Sequence, residues 1–147
     1  MPPKTIFFDD FSSPELNRDN WNVFTTGPFF NKEQQAYVDS SETLYIARSE
    51  DAEGAENGAL ALHPRYRPGF TTPEGETFDF ISGRIHTRNK FDFTFGTAAA
   101  RIKLPAGSGF WPAFWTLGYQ GGWPECGEID IREYPGETDW VKVTQPS

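Results

Sequence analysis

Hydrophobic positions along this chain come in short runs. In "FDFTFG" (91–96), and in "GEIDIREY" (127–134) as far as Ile131, every second residue is apolar. A two-residue period is that of a strand with one buried face. Further runs are "TIFF" (5–8), "WNVFT" (21–25), "QQAYV" (34–38), "TLYIAR" (43–48), "ALALH" (59–63), "SGRIHTR" (82–88), "AAARIKL" (98–104) and "FWPAFWTL" (110–117). All are strand-sized, and none carries a convincing helical period. Twelve Pro and 14 Gly punctuate them, which predicts an all-β chain of sandwich or barrel type. "HPRYRPGFTTPEGETFDF" (63–80) mixes Pro, Gly, Arg and aromatics and predicts a long surface connection. The acidic "RSEDAEGAENG" (48–58) reads as a solvated loop with a turn at Asn57-Gly58. Its spacing fits no calcium loop of the EF-hand kind.

Composition narrows the partners. The 147 residues suffice for one domain with a core, and the formal net charge is −8. That field opposes nucleic acid and permits a neutral polymer such as a sugar chain. No long apolar run suggests a membrane span. The start, "MPPKTIFFDDF", is too short and acidic for a signal peptide. Cys126 is the single cysteine, so no disulfide forms within the chain. As a nucleophile it would need His63 or His86 beside it, and the preferred reading is a small apolar filler. Phosphate-loop, H-E-x-x-H and G-x-S-x-G patterns are missing from the sequence.

The chemistry concentrates in "WPECGEIDIREYPG" (123–136). Glu128 and Asp130 share one strand face, and Ile129 and Ile131 take the other. Glu133 lies five positions from Glu128, so a straight strand would put it on the wrong face. One β-bulge between Asp130 and Glu133 corrects the parity and lines up three carboxylates with Asp130 in the middle. Two readings stand open: a solvated acidic face, or a catalytic row. The second has a use, because retaining glycoside hydrolysis needs two carboxyls about 5–5.5 Å apart. A third between them would couple to both. Just upstream, alternation in "GSGFWPAFWTLG" (107–118) sets Trp111, Ala113 and Trp115 on one face, and Trp123 precedes the acidic strand. Indole faces are good platforms for sugar rings and equally good core material.

The segment "SGRIHTRNKFDFTFGTAAARIKLPAGSGFWPAFWTLGYQGGWPECGEIDIREYPG" resembles glycoside hydrolase family 16, above all its laminarinase-like endo-β-1,3-glucanases. "FFDDF…NW" and "NKEQQAYV" are similar to that family too, and W-P-x-x-G-E-I-D-I-x-E is a specific motif. The resemblance implies a concanavalin-like β-jelly-roll sandwich with an open cleft. It also implies hydrolysis of internal β-1,3-glucosidic bonds in laminarin-type glucans. Glu128 would be the nucleophile, Asp130 its helper and Glu133 the acid/base. Trp111, Trp115 and Trp123 would line the cleft, with Asn31 and Arg84 on the glycone side. The implied partner is a β-glucan polysaccharide, with no nucleic acid, membrane or protein partner evident, and the implied location is extracellular. No cofactor is required, and no metal-ligating residue is assigned in this chain, although the full-length family domain can hold a structural calcium.

Two departures from the family pattern stand out. Ala99 occupies the Glu position of G-x-x-E-A-R-I. The family domain also continues for roughly another hundred residues after the acid/base Glu, the scale of a full jelly roll. Residues 1–147 are therefore expected to form a single partial, C-terminally incomplete domain without the family's cleft His. No substitute is visible near Gln145. The alternative to an enzyme is an inactive or glucan-binding fragment of one.

Overall fold

The computed structural model describes residues 4–25, 33–55 and 57–134. Among them are nine strands and one short 3-10 turn, Ser49–Ala52, so the all-β expectation holds. The described residues group into two compact units, one up to Asp92 and one from Phe93 onward.

The first unit holds β1 (Asn22–Val23), β2 (Gln35–Tyr37), β3 (Leu44–Ala47), β4 (Ala59–Leu62), β5 (Arg65–Thr71), β6 (Thr77–Ser82) and β7 (Ile85–His86). β5 and β6 form an antiparallel hairpin, and β2 joins β6 in parallel to give the order β2-β6-β5. β3 pairs with β4, and β1 with β7, both antiparallel. The core forms where β2 meets β6. Ala36 is fully buried opposite Ile81, beside Phe78, with Val38 and Phe70 packed around them. Thr43 is buried as well. Its hydroxyl donates to the Val38 carbonyl at 3.1 Å, which satisfies it inside the turn between β2 and β3.

The stretch 63–80, expected as a surface connection, is instead most of the β5–β6 hairpin. Pro68 and Gly69 read as strand breakers, but a register shift between Tyr66 and Phe70 absorbs them. Pro is tolerated at a bulge because no ladder N–H is needed there. Gly69, at φ +74°, supplies the left-handed residue, and its N–H donates to the Asp79 carboxylate at 3.3 Å. The Tyr66–Phe80 and Phe70–Phe78 pairs then fall into register on either side.

"TIFF" forms no strand. It feeds an aromatic clasp instead, in which Phe7 meets Phe91 and Trp21 at ring distances of 4.6 and 5.4 Å. The Trp21 indole N–H donates to Asp9 at 2.8 Å, closing the N-terminal segment onto the strand region. Gly83 sets the step from β6 into β7. A Cβ there would lie 2.7 Å from the Thr43 carbonyl oxygen, so only glycine lets the chain pass and deliver Arg84.

The second unit holds β8 (Ala113–Leu117) and β9 (Glu128–Glu133), an antiparallel pair. "FDFTFG" and "AAARIKL", expected as strands, join no ladder among the described residues. Alternation reports a two-faced segment, but a strand also needs a neighbour to hydrogen-bond.

Arg18 clamps Asp39, just past β2, through two hydrogen bonds of 2.8 Å. That bond to Arg18 holds the Asp39 carboxyl below its ordinary pKa. A depressed acid stabilises the fold above its unfolded pKa and loses that contribution as pH falls through the folded value. Both side chains are about half exposed, so the gain is that of a screened surface pair. Asp39→Asn is expected to cost about 0.2–1 kcal/mol near neutral pH. The gap from wild type should close below about pH 3.9, as read by denaturant melts across pH.

Candidate active site

The register of β8 against β9 answers the parity question. Leu117 pairs with Glu128, Trp115 with Asp130 and Ala113 with Glu133. Residues 113, 115 and 117 share one face of β8, and directly opposed residues share a face across the ladder. Glu128, Asp130 and Glu133 therefore line one face. The extra residue is Ile131: the register steps from Trp115↔Asp130 to Phe114↔Arg132 and skips it. The expected bulge between Asp130 and Glu133 is thus present, and it re-aims Glu133. Arg132 pairs with Phe114 on the opposite face, its guanidinium 5.8 Å from the Tyr134 ring centre.

Two tryptophans grip the ends of this row. The Trp111 indole N–H donates to Glu133 Oε1 at 2.9 Å. The Trp123 indole N–H donates to Glu128 Oε2 at 2.8 Å. An N–H bond to a carboxylate is charge-assisted and holds one oxygen in place. The second oxygen of each carboxyl is left for chemistry. Trp111 and Trp123 stay 50% and 68% exposed, so their ring faces remain open to a ligand while their edges hold the glutamates. Trp115, half-buried, stands opposite Asp130 in the middle of the row. The structure thus gathers six of the sequence-derived residues: Glu128, Asp130, Glu133, Trp111, Trp115 and Trp123.

The connection from β8 to β9 is folded tightly. Gly118 N–H donates to the Gly127 carbonyl at 2.9 Å, and Cys126 N–H to the Gly122 carbonyl at 3.0 Å. A Cβ on Gly118 would sit 1.7 Å from the Cys126 carbonyl oxygen. This backbone approach brings Trp123 round onto Glu128. Cys126 is a free cysteine, only partly buried in this loop.

Arg84 lies in the other unit and Asn31 outside the described residues. Arg84 has a setting that sequence reasoning missed. Its guanidinium lies 4.7 Å from the Phe24 ring centre and 5.7 Å from that of Tyr37, against two rings that meet each other edge to face at 5.7 Å. Gln35 donates to Glu33 at 3.1 Å and to the Tyr37 hydroxyl at 3.0 Å, bracing that ring. Burial raises the Tyr37 pKa first, with the Glu33 charge adding to it. "NKEQQAYV" carried the signal, since alternation puts Glu33, Gln35 and Tyr37 on one face.

Replacing Gly118 by Ala is expected to open the β8–β9 connection. The cost should reach or exceed the 1–3 kcal/mol or so of ordinary overpacking, because backbone rather than a flexible side chain is in the way. Tryptophan fluorescence during denaturant unfolding measures it. A variant as stable as wild type would contradict the close approach.

The match to known proteins falls on these same residues. Residues 71–144 match the family model described as an XgeA-like, catalytic GH16 domain. Glucan endo-1,3-beta-glucosidase A1 of Niallia circulans is 29% identical over 89% of this chain and 20% of its own length. A glucan endo-1,3-beta-glucosidase of Cryptopygus antarcticus is 36% identical over 88% of this chain and 45% of its own. Among solved structures, the endo-beta-1,3-glucanase of Pyrococcus furiosus superposes with a TM-score of 0.72 at 34% identity, over 90% of this chain and 50% of that one. The chain spans half or less of the length of these relatives. Its fold class is the all-β, concanavalin-like jelly roll of those neighbours, and with half of its residues matched by the family model the chain belongs to glycoside hydrolase family 16.

Proposed function

We propose that this protein hydrolyses internal β-1,3-glucosidic bonds of laminarin-type glucans with retention of configuration. The observation that carries the reading is the bulged row Glu128–Asp130–Glu133, with each glutamate held by an indole N–H. Relatives that carry endo-1,3-glucanase names support the substrate class.

The Glu128 carboxylate attacks the anomeric carbon. The glycosidic C–O bond breaks while Glu133 gives its proton to the leaving oxygen. Water then attacks the glycosyl ester, Glu133 takes the water's proton, and Glu128 departs as carboxylate. Asp130 stands between them on the same face. Trp111, Trp115 and Trp123 offer ring faces to pyranose C–H surfaces.

Glu128→Gln is expected to abolish turnover of laminarin, because an amide forms no glycosyl ester. Glu133→Ala should lose about 10²–10⁴-fold on laminarin, the usual contribution of general acid catalysis. It should lose far less on an aryl laminaribioside whose leaving group needs no proton. Reducing-sugar release and aryl release measure the two. Equal losses on both substrates would contradict the assignment. Laminarin retention on an affinity gel with no cleavage would replace hydrolysis by glucan binding.

A further inference from the structure

Trp111 and Trp123 differ from plain aromatic platforms in what their edges do. Trp111 Nε1–H meets Glu133 Oε1 at 2.9 Å, and Trp123 Nε1–H meets Glu128 Oε2 at 2.8 Å. The backbone beside each indole is tied to the backbone beside its glutamate. Tyr134 N–H donates to the Pro112 carbonyl at 3.1 Å, joining the residue after Glu133 to the residue after Trp111. Gly127 N–H donates to the Pro124 carbonyl at 3.1 Å, joining the residue before Glu128 to the residue after Trp123. Each donor therefore approaches its oxygen from a frame that the main chain sets before any ligand arrives.

An indole N–H donates and accepts nothing. The oxygen it meets stays an acceptor whether the carboxyl is ionised or protonated. In a protonated carboxyl the C=O oxygen is the better acceptor, and the other oxygen carries the hydrogen. The last torsion of a glutamate side chain is broad and two-fold, so an unheld carboxyl presents either oxygen over a range of angles. The indole removes that symmetry. Both rings are at least half exposed, so a pyranose stacked on the ring and the glutamate bonded to its edge are placed by one rigid body.

We propose that Trp111 and Trp123 are positioning residues that select which oxygen of each glutamate reacts: Oε2 of Glu133 carries the proton, and Oε1 of Glu128 attacks. The assignment rests on the hydrolytic reading of the row. In the first step Glu128 Oε1 bonds to the anomeric carbon. The electron pair of the glycosidic C–O bond leaves with the oxygen, which takes the proton from Glu133 Oε2. Glu133 is then a carboxylate whose Oε1 the Trp111 N–H still holds. Its Oε2 is thereby aimed to take the proton of the incoming water in the second step. Positioning to within about 0.5 Å is what such groups need.

Phenylalanine at either position keeps an aromatic face and removes the N–H. Kinetics of the full chain on laminarin and on an aryl laminaribioside with an activated leaving group separate the two pairings. Trp123→Phe is expected to lower kcat/KM by about tenfold to a hundredfold on both substrates, the range for a hydrogen bond to a charged group, because each needs attack by Glu128. Trp111→Phe is expected to lose about as much on laminarin and far less on the aryl substrate, which is the leaving-group dependence of Glu133 itself. On laminarin both losses fall in kcat, whereas a ring that only stacks would lose KM. 3-Benzothienylalanine, shaped like tryptophan with sulfur in place of the N–H, repeats each test if Phe loosens the hairpin. The other indole N–H resonance at its wild-type position shows the hairpin intact. The assignment alone is overturned if the wild type cleaves and Glu128→Gln does not, yet either Phe variant matches wild type on laminarin, the losses lie in KM, or both variants show the same leaving-group dependence. A wild type that cleaves neither substrate, or a Glu128→Gln that still cleaves, overturns the hydrolytic reading and this assignment with it.

Discussion

Everything at the carboxylate row depends on one residue that has no partner. Ile131 is skipped in the ladder between β8 and β9, and the skip converts a five-residue separation into a shared face. Without the skip Arg132 would stand on the Glu128 face and Glu133 on the other. The bulge breaks pairing at one point of the ladder, yet the indole N–H bonds at both ends hold what it creates. Trp111 comes from the segment leading into β8 and Trp123 from the connection into β9. Each arrives from a different stretch of chain, so the row is fixed independently at its two ends.

Close backbone approaches do the positioning in both units. Gly118 admits the Cys126 carbonyl and turns Trp123 onto Glu128. Gly83 admits the Thr43 carbonyl and sends the chain toward β7, with Arg84 against Phe24 and Tyr37. In each case a position without a side chain sets where a functional side chain lands. Substitutions at these glycines act on function through geometry, with no polar contact removed.

The carboxylate row was legible because strand parity is a strict rule. The mismatch between Glu128 and Glu133 demanded a correction, and its place between Asp130 and Glu133 follows from the residues alone. The Trp111–Ala113–Trp115 face was legible for the same reason. Pro68-Gly69 hid the β5–β6 hairpin, since a bulge that tolerates Pro looks like a turn in sequence. "FDFTFG" and "AAARIKL" misled in the opposite direction: their alternation is real, but pairing partners are not encoded locally. The Phe24–Arg84–Tyr37 cluster joins three distant segments, and no local pattern announces such a contact. Glycoside hydrolase family 16 was recognisable from the W-P-x-x-G-E-I-D-I-x-E motif, whose spacing contains the bulge.

Deleting Ile131 tests the central claim most directly, with the indole N–H resonances of Trp111 and Trp123 as reporters. Removing the extra residue leaves Glu133 four positions from Glu128, so a straight strand then keeps both on one face. The Trp111 and Trp123 resonances are then expected to keep their bonded positions. A Trp111 resonance that moves to the position it takes in Glu133→Ala, with the hairpin intact, would contradict the account.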